Sequence, residues 1–203
     1  MLIMRNGQSP TIHPSAVVAS SAQIIGNVSI GESCYIDYNV VIESSGALIE
    51  IADHVMVLAN SVIRSVGGTH RPSFSVRIDN HTLISPSCTL TGCHIGRNCY
   101  IATGARILQG AMIGDHSRIG VGALVHFKTM LPQRTRVGFY HLAVPTANGP
   151  LITSDVQAAR EQLATADFFE TAFQEQEQEP EKLQSNVMEK LLQEVFSWRD
   201  EPS

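Results

Sequence analysis

The side chains of this sequence best suited to chemistry gather around one irregular segment. The segment 64–77 begins at Arg64, ends at Arg77, and holds His70 and Arg71 between them. Its glycines and its proline indicate a loop rather than a strand or a helix. An imidazole can serve as a general base, and guanidinium groups suit oxyanions. We expect a ligand site here, with His70 as a catalytic candidate and Arg64, Arg71 and Arg77 as anion-binding candidates.

Other histidines lie outside this loop. His94 directly precedes an aliphatic residue and is a second catalytic candidate. His54 and His81 stand at corresponding positions of a sequence repeat and are weak candidates for sharing a metal ion through their ring nitrogens. The same position is also filled by Asn39, Asn98 and His116. Asn and His tolerate left-handed backbone, so this spacing favours a column of turn residues over a metal site.

A repeat of six residues must position these side chains. An aliphatic residue recurs about every sixth position from Ile12 to Val137, usually two positions after a small residue. A period of six fits neither a helix nor a flat strand and is typical of a parallel β-helix. We predict an all-β left-handed parallel β-helix of about seven triangular coils over residues 1–146, interrupted by the loop at 64–77. The predicted inward residues include Ile24, Ile30, Ile36, Ile42, Leu48, Ile51, Ile63, Ile78, Ile95 and Ile119.

Composition restricts the remaining possibilities. All four cysteines (Cys34, Cys88, Cys93 and Cys99) occupy the small-residue position of the repeat, which favours buried thiols in a reducing compartment over a disulfide or a metal site. No apolar run approaches the ~20 residues of a membrane span, and the N-terminal segment is too polar for a secretory signal. We expect a cytoplasmic protein without membrane contact.

Charge divides the chain in two. Residues 1–149 carry a net charge of +3, whereas residues 150–203 carry −8. No basic cluster interleaved with aromatic residues points to nucleic acid. Residues 147–203 form an acidic tail in which the spacing of apolar residues predicts two α-helices, at 155–176 and 181–199, the first capped by Ser154 or Asp155. This tail either packs along the β-helix or offers its last helix to a protein partner.

Several segments of residues 8–146 resemble the gamma-class carbonic anhydrases. They are Thr11-Ile-His-Pro-Ser-Ala, the loop after the tenth hexad, Thr91-Gly-Cys-His-Ile-Gly, Gly110-Ala-Met-Ile-Gly and Gly122-Ala-Leu-Val. The resemblance implies a homotrimer with zinc held between two subunits by three histidines. It places these ligands on Arg64, Pro86 and Thr91. It places an Arg-Gly-Asp segment that links subunits on Glu43-Ser44-Ser45.

Zinc needs nitrogen, sulfur or carboxylate donors, and arginine, proline and threonine supply none of these. We therefore expect no cofactor, and zinc-dependent hydration is disfavoured. Three functions stay open. The first is a non-catalytic trimeric scaffold or assembly subunit. The second is an acyltransferase using acetyl-CoA near Gly122, Lys128 and Arg134, with His70 or His94 as the base. The third is a divergent anhydrase or small-anion binder.

Overall fold

The computed structural model describes residues 1–67, 73–164, 186–189 and 191–192, and in it the repeat forms a left-handed parallel β-helix. Successive strands of each face pair in parallel with the strand one coil earlier, for example Ile78 with Ile51 and Ile95 with Ile78. Among the described residues, two faces contain seven strands each and the third contains nine. The predicted fold class is therefore confirmed.

The three faces follow one another along the chain in a fixed order. Face 1 comprises β1 Leu2–Ile3, β4 Gln23–Ile25, β7 Val41–Glu43, β10 Val62–Arg64, β13 Thr89–Thr91, β16 Arg106–Ile107, β19 Leu124–Val125, β22 Leu142–Val144 and β23 Leu151–Thr153. Face 2 comprises β2 Thr11–Ile12, β5 Val28–Ile30, β8 Ile49–Ile51, β11 Val76–Ile78, β14 His94–Ile95, β17 Met112–Ile113 and β20 Met130–Leu131. Face 3 comprises β3 Val17–Val18, β6 Tyr35–Ile36, β9 Met56–Val57, β12 Leu83–Ile84, β15 Tyr100–Ile101, β18 Arg118–Ile119 and β21 Arg136–Val137.

A stack of aliphatic side chains fills the centre of the prism. The predicted inward positions Ile24, Ile42, Ile63, Ile95 and Ile119 are all 0% exposed. Burying one such side chain contributes roughly 1.5–3 kcal/mol. Because the interior is a narrow column of packed side chains, functional groups lie on the outer faces and at the corners.

The cysteines belong to this core. All four are free thiols and all four are buried, as the repeat predicts. Burial raises the pKa of Cys88 to about 11 and that of Cys93 to about 12. Both thiols are therefore protonated near neutral pH and are poor nucleophiles and metal ligands.

Left-handed backbone recurs at the corners between faces, as expected for the histidine and asparagine positions. His54, His81, Asn98 and His116 follow face 2 strands and have φ of 57°, 59°, 54° and 61°. The predicted membership of this column was wrong for Asn39, which follows a face 3 strand and donates from Nδ2 to Asn60 Oδ1 at 3.3 Å. A longer coil around residues 44–48 shifts the phase of the repeat.

The same longer coil explains a second error. Leu48 was predicted to point inward, yet it is 41% exposed, and Ile49 and Ile51 fill the core instead. Ser44 and Ser65 both donate a hydroxyl hydrogen bond to the carbonyl of Ala47, at 2.8 and 2.6 Å. The Ser44 bond closes the enlarged corner on itself, and the Ser65 bond ties it to the next coil, where the loop at 64–77 leaves the prism.

The chain reverses direction after the last coil. Strand β23 pairs antiparallel with β22, and helix α1 (Val156–Leu163) packs against both strands. The predicted cap is confirmed at Asp155, whose side chain accepts hydrogen bonds from the backbone N–H groups of Gln157 and Ala158. The rest of the first predicted helix lies outside the described residues, as does most of the second, whose described residues 186–189 and 191–192 are helical. Within the described residues, no helix is long and apolar enough to cross a bilayer.

Candidate functional site

Arg64 lies in an ion-pair cluster on the outer surface of face 1. Its Nε is 3.0 Å from Oε2 of Glu43, and Arg5 donates to Oε1 of the same carboxylate at 2.5 Å. Parallel pairing puts Glu43 and Arg64 side by side on β7 and β10. The side chain of Glu43 is 15% exposed and that of Arg64 48%. One carboxylate thus pairs with two guanidinium groups, one at each of its oxygens.

Thr91 and Pro86 flank the same face. Thr91 is the register partner of Arg64 on the following coil. Pro86 lies in the turn that enters face 1, on the opposite edge from Arg64 and Thr91. No group of three or more His, Cys, Asp or Glu side chains is arranged for a metal ion in the described parts of the chain. The residues present around Arg64 do not fit a zinc ion.

A second charged cluster, formed by Arg77, Asp79 and His94, lies on face 2. Arg77 and His94 are register partners on β11 and β14. Arg77 Nε donates to Asp79 Oδ1 at 2.7 Å, and His94 Nε2 is 3.4 Å from Asp79 Oδ2. That second contact lacks hydrogen-bond geometry, so the solvent-shielded Nε2 has no hydrogen-bond partner among the described residues. The carboxylate of Asp79 raises the pKa of Arg77 and keeps its charge fixed.

A shallow groove of about 420 Å³ continues from this cluster along face 2. Asp79 and His94 line one end, and Met112 and Met130 lie further along it. The two methionines are 43% and 62% exposed. The groove therefore joins a polar end, able to accept a proton, to an apolar stretch.

The base of the loop at 64–77 is held against the prism by Phe74. Val66 and Phe74 exchange two backbone hydrogen bonds, of 2.9 and 2.6 Å. The Phe74 side chain lies over Gly92 and Gly110, where an added Cβ would stand 2.5 and 3.3 Å from it. His70 and Arg71 lie outside the described residues. Arg64 and Arg77 are on different faces, and each is paired with a carboxylate.

The weak metal candidates His54 and His81 lie on adjacent coils. Their ring centroids are 4.9 Å apart and the planes are inclined by 4°, which is a stacked arrangement. In parallel rings the nitrogen lone pairs do not converge on one point, as a shared ion would require. The stack extends the column of corner residues along the prism.

The positions expected to contact CoA are not brought together. Gly122 follows a face 3 strand, Lys128 a face 1 strand and Arg134 a face 2 strand. All three have positive φ, of 63°, 53° and 62°, which is typical of corner residues in this fold. They therefore lie at three different corners of the prism.

Comparison with known proteins agrees with this geometry. Residues 92–126 match the family model described as bacterial transferase hexapeptide (six repeats). The mitochondrial gamma carbonic anhydrase 1 of Arabidopsis thaliana is 28% identical over 62% of this chain and 46% of its own length. A carbonic anhydrase of Geobacillus kaustophilus is 30% identical over 57% of this chain and 60% of its own. A hexapeptide transferase family protein of Anaplasma phagocytophilum is 21% identical, with a TM-score of 0.53 over 81% of this chain and 95% of its own.

The chain therefore contains a hexapeptide repeat and resembles the gamma carbonic anhydrases. The match spans about half the length of the first Arabidopsis relative, and the likeness to the solved Anaplasma structure is one of fold. Within the β-helix, Glu43, Arg64 and Thr91 form one outward row on face 1. Arg77 and His94 form another on face 2.

Sequence reasoning missed Asp79, the residue that joins Arg77 to His94. The signal was present, because residues two apart on a strand point to the same side. Asp79 follows Arg77 by two positions and is only partly exposed. The irregular loop before β11 concealed the register that places His94 beside Arg77.

Proposed function

We propose that this chain is a non-catalytic, gamma-carbonic-anhydrase-like scaffold in which an ion-pair cluster replaces the zinc centre. The observation that carries the proposal is the contact of Arg64 Nε with Glu43 Oε2 at 3.0 Å. The resemblance aligns Arg64 with a zinc-binding histidine and Glu43 with the arginine of the Arg-Gly-Asp segment. A fixed cation thus stands where the relatives bind a metal ion, and an anion stands where they carry an arginine.

This exchange of charges is electrostatically favourable. A guanidinium group close to a bound Zn²⁺ would be repelled, whereas beside a carboxylate it is stabilised. The second guanidinium, from Arg5, pairs with the other oxygen of the Glu43 carboxylate. The position therefore keeps a local positive charge without any group that activates water.

Assembly as a homotrimer is part of this proposal. The resemblance supports it, since the relatives hold their zinc between subunits, and so does the hexapeptide repeat. In a single chain, Arg64 and Thr91 share one edge of face 1 while Pro86 lies at the other edge. Three ligands at these positions would meet only across a subunit boundary. Recruitment of a protein partner by the last predicted helix and a cytoplasmic location stay predictions.

One observation favours acyl transfer as a second candidate. His94 lies 3.4 Å from the carboxylate of Asp79, which itself is fixed by Arg77. A histidine next to a carboxylate at the end of a groove has the arrangement of a general base, with the carboxylate stabilising the imidazolium. An acyl donor such as acetyl-CoA would then lie along the apolar part of the groove.

The test measures metal content, mass and activity on one preparation. We expect protein purified without chelator to contain substoichiometric zinc, to elute with the mass of a trimer in light scattering, and to show no CO₂ hydration in stopped flow. Glu43→Gln should leave the metal content unchanged. One zinc per subunit together with CO₂ hydration would overturn the scaffold. Saturable acetyl-CoA turnover lost in His94→Gln but not in His116→Gln would establish the second candidate instead.

A further inference from the structure

Face 3 opens into a trough towards its C-terminal end. The side chain directly after the inward aliphatic residue is Leu58 on one coil and Ser85 on the next. On the three coils that follow, it is Ala102, Gly120 and Gly138. The loss of these side chains leaves a cavity of about 780 Å³ that runs along the prism over β15, β18 and β21.

The glycine floor of this trough is fixed by packing between coils. An added Cβ on Gly120 would lie 2.7 Å from the backbone of Gly138, and one on Gly138 would lie 2.8 Å from the ring of His141. Gly120 therefore cannot take a larger residue unless the two coils separate, and Gly138 cannot unless the His141 ring moves. Glycine at both positions keeps the floor of the trough open.

One wall of the trough carries two arginines on adjacent coils. Arg118 and Arg136 are register partners, and both are exposed. Neighbouring parallel strands are about 4.8 Å apart, so the two positive charges repel each other. By contrast, Arg5, Arg64, Arg77 and Arg97 each lie within 3.0 Å of a carboxylate. Among the described residues, neither Arg118 nor Arg136 has an ion-pair partner, and the trough lining contains no carboxylate.

Two aromatic side chains complete the trough. Tyr100 stands on the coil before Arg118, in the same outward row, and is 43% exposed. Phe139 follows the strand of Arg136 at the opposite rim and is 72% exposed. Exposed aromatic faces beside guanidinium groups can stack on a planar ring while the guanidinium groups hold an oxyanion.

We propose that this trough binds a phosphorylated ligand that also carries an aromatic ring, of which a nucleoside monophosphate is the simplest example. Arg118 and Arg136 bind the phosphate between them, which removes their mutual repulsion. Phe139 contacts the ring, and the Gly120–Gly138 floor lets the ligand approach the backbone closely. The inference is independent of the scaffold role, because it uses face 3 and none of the residues around Arg64.

The test is calorimetric titration of the full-length protein with inorganic phosphate, adenosine and 5′-AMP in a low-salt buffer without phosphate. We expect 5′-AMP to bind more tightly than phosphate, and adenosine to bind most weakly. Arg118→Ala and Arg136→Ala should each weaken phosphate and 5′-AMP at least about tenfold, equivalent to roughly 1.4 kcal/mol. Phe139→Ala should weaken 5′-AMP and leave phosphate unchanged.

Arg106→Ala is the matched control. Arg106 is an exposed arginine on face 1 with no ion-pair partner among the described residues, and it lies outside the trough. It should bind both ligands as the unmodified protein does. The proposal is overturned if the unmodified protein binds neither phosphate nor 5′-AMP saturably, or if Arg106→Ala weakens binding as much as Arg118→Ala. This measurement does not depend on zinc content or on the mass of the assembly. A negative result would therefore not count against the proposed scaffold function.

Discussion

Among single residues, His126 shows how strongly burial controls a charge on this surface. Its ring packs against Phe127, with centroids 4.6 Å apart, and its Nδ1 has no hydrogen-bond partner in the described part of the chain. Loss of solvent disfavours the imidazolium and lowers the pKa of His126 below its ordinary value of 6.5. His126 is therefore neutral at pH 7.

This lowered pKa predicts a defined pH dependence of stability. Below pH 6.5 the unfolded chain binds a proton at His126 before the folded chain does. The free energy of unfolding therefore decreases as the pH falls, until His126 is protonated in the folded state as well. In His126→Gln, urea unfolding should show a smaller loss of stability between pH 7 and pH 5. At pH 8 His126 is neutral in both the folded and the unfolded chain. The difference in stability between His126→Gln and the unmodified protein at pH 8 therefore gives the pH-independent cost of the substitution. If the free energy of unfolding depended on pH in the same way in His126→Gln and in the unmodified protein, the expectation would be wrong.

At the scale of elements, the corner that carries Gly92 positions the loop. Gly92 has a φ of 49°, and its absent side chain leaves room for Phe74. The loop base therefore lies along the corner instead of projecting freely. Gly104 offers a comparison, since its φ is 70° and nothing lies within 4 Å of its missing Cβ.

These two glycines allow a matched prediction. Gly104→Ala adds only left-handed strain, about 1–2 kcal/mol. Gly92→Ala adds the same strain and a 2.5 Å contact with Phe74, so we expect a loss of stability larger by about 1–3 kcal/mol. Urea unfolding of both variants measures the difference. The atom in contact is the Cβ of Phe74, so Phe74→Gly combined with Gly92→Ala should cost less stability than the two single substitutions added together. Equal losses in Gly92→Ala and Gly104→Ala would exclude a tight loop base.

The sequence predicted the elements where the period was regular and failed where it was not. The six-residue spacing correctly assigned Ile24, Ile63 and Ile95 to the core, because each coil repeats the previous geometry. It misplaced Leu48 and Asn39, since the serine-bonded corner at 44–47 lengthens one coil and changes which face the next residues reach. The Arg64–Glu43 contact depends on register between coils, and a single-sequence pattern does not specify that register across an irregular corner.

The molecule as a whole behaves as a stack of coils, each supported by its two neighbours. A solenoid of this kind has stability that is approximately a sum of coil and interface contributions. Ile95 lies at 0% exposure in a central coil, whereas Ile12 in the first coil is only partly buried. A substitution in a central coil therefore weakens packing against two neighbouring coils, whereas a substitution in the first coil weakens packing against one.

We accordingly expect position along the stack to determine the cost of an identical substitution. Ile95→Ala should lower the free energy of unfolding by about 2–5 kcal/mol, and Ile12→Ala by clearly less. In hydrogen exchange, Ile12→Ala should reduce amide protection only in the first coils. Ile95→Ala should reduce it in the coils on both sides of the substitution. Equal costs for the two variants would indicate a single cooperative unit.

The antiparallel strand β23 affects whether copies of this protein can stack end to end. A parallel coil exposes a row of unpaired backbone groups at its end, and such an end could template another molecule. On face 1 that row is already taken by the antiparallel partner Leu151–Thr153, with helix α1 seated over it. A second copy arriving at this end meets the wrong hydrogen-bond pattern and a helix in its path. The reversal of the chain after Val144 thus blocks the stacking of another copy on face 1, which disfavours fibre formation.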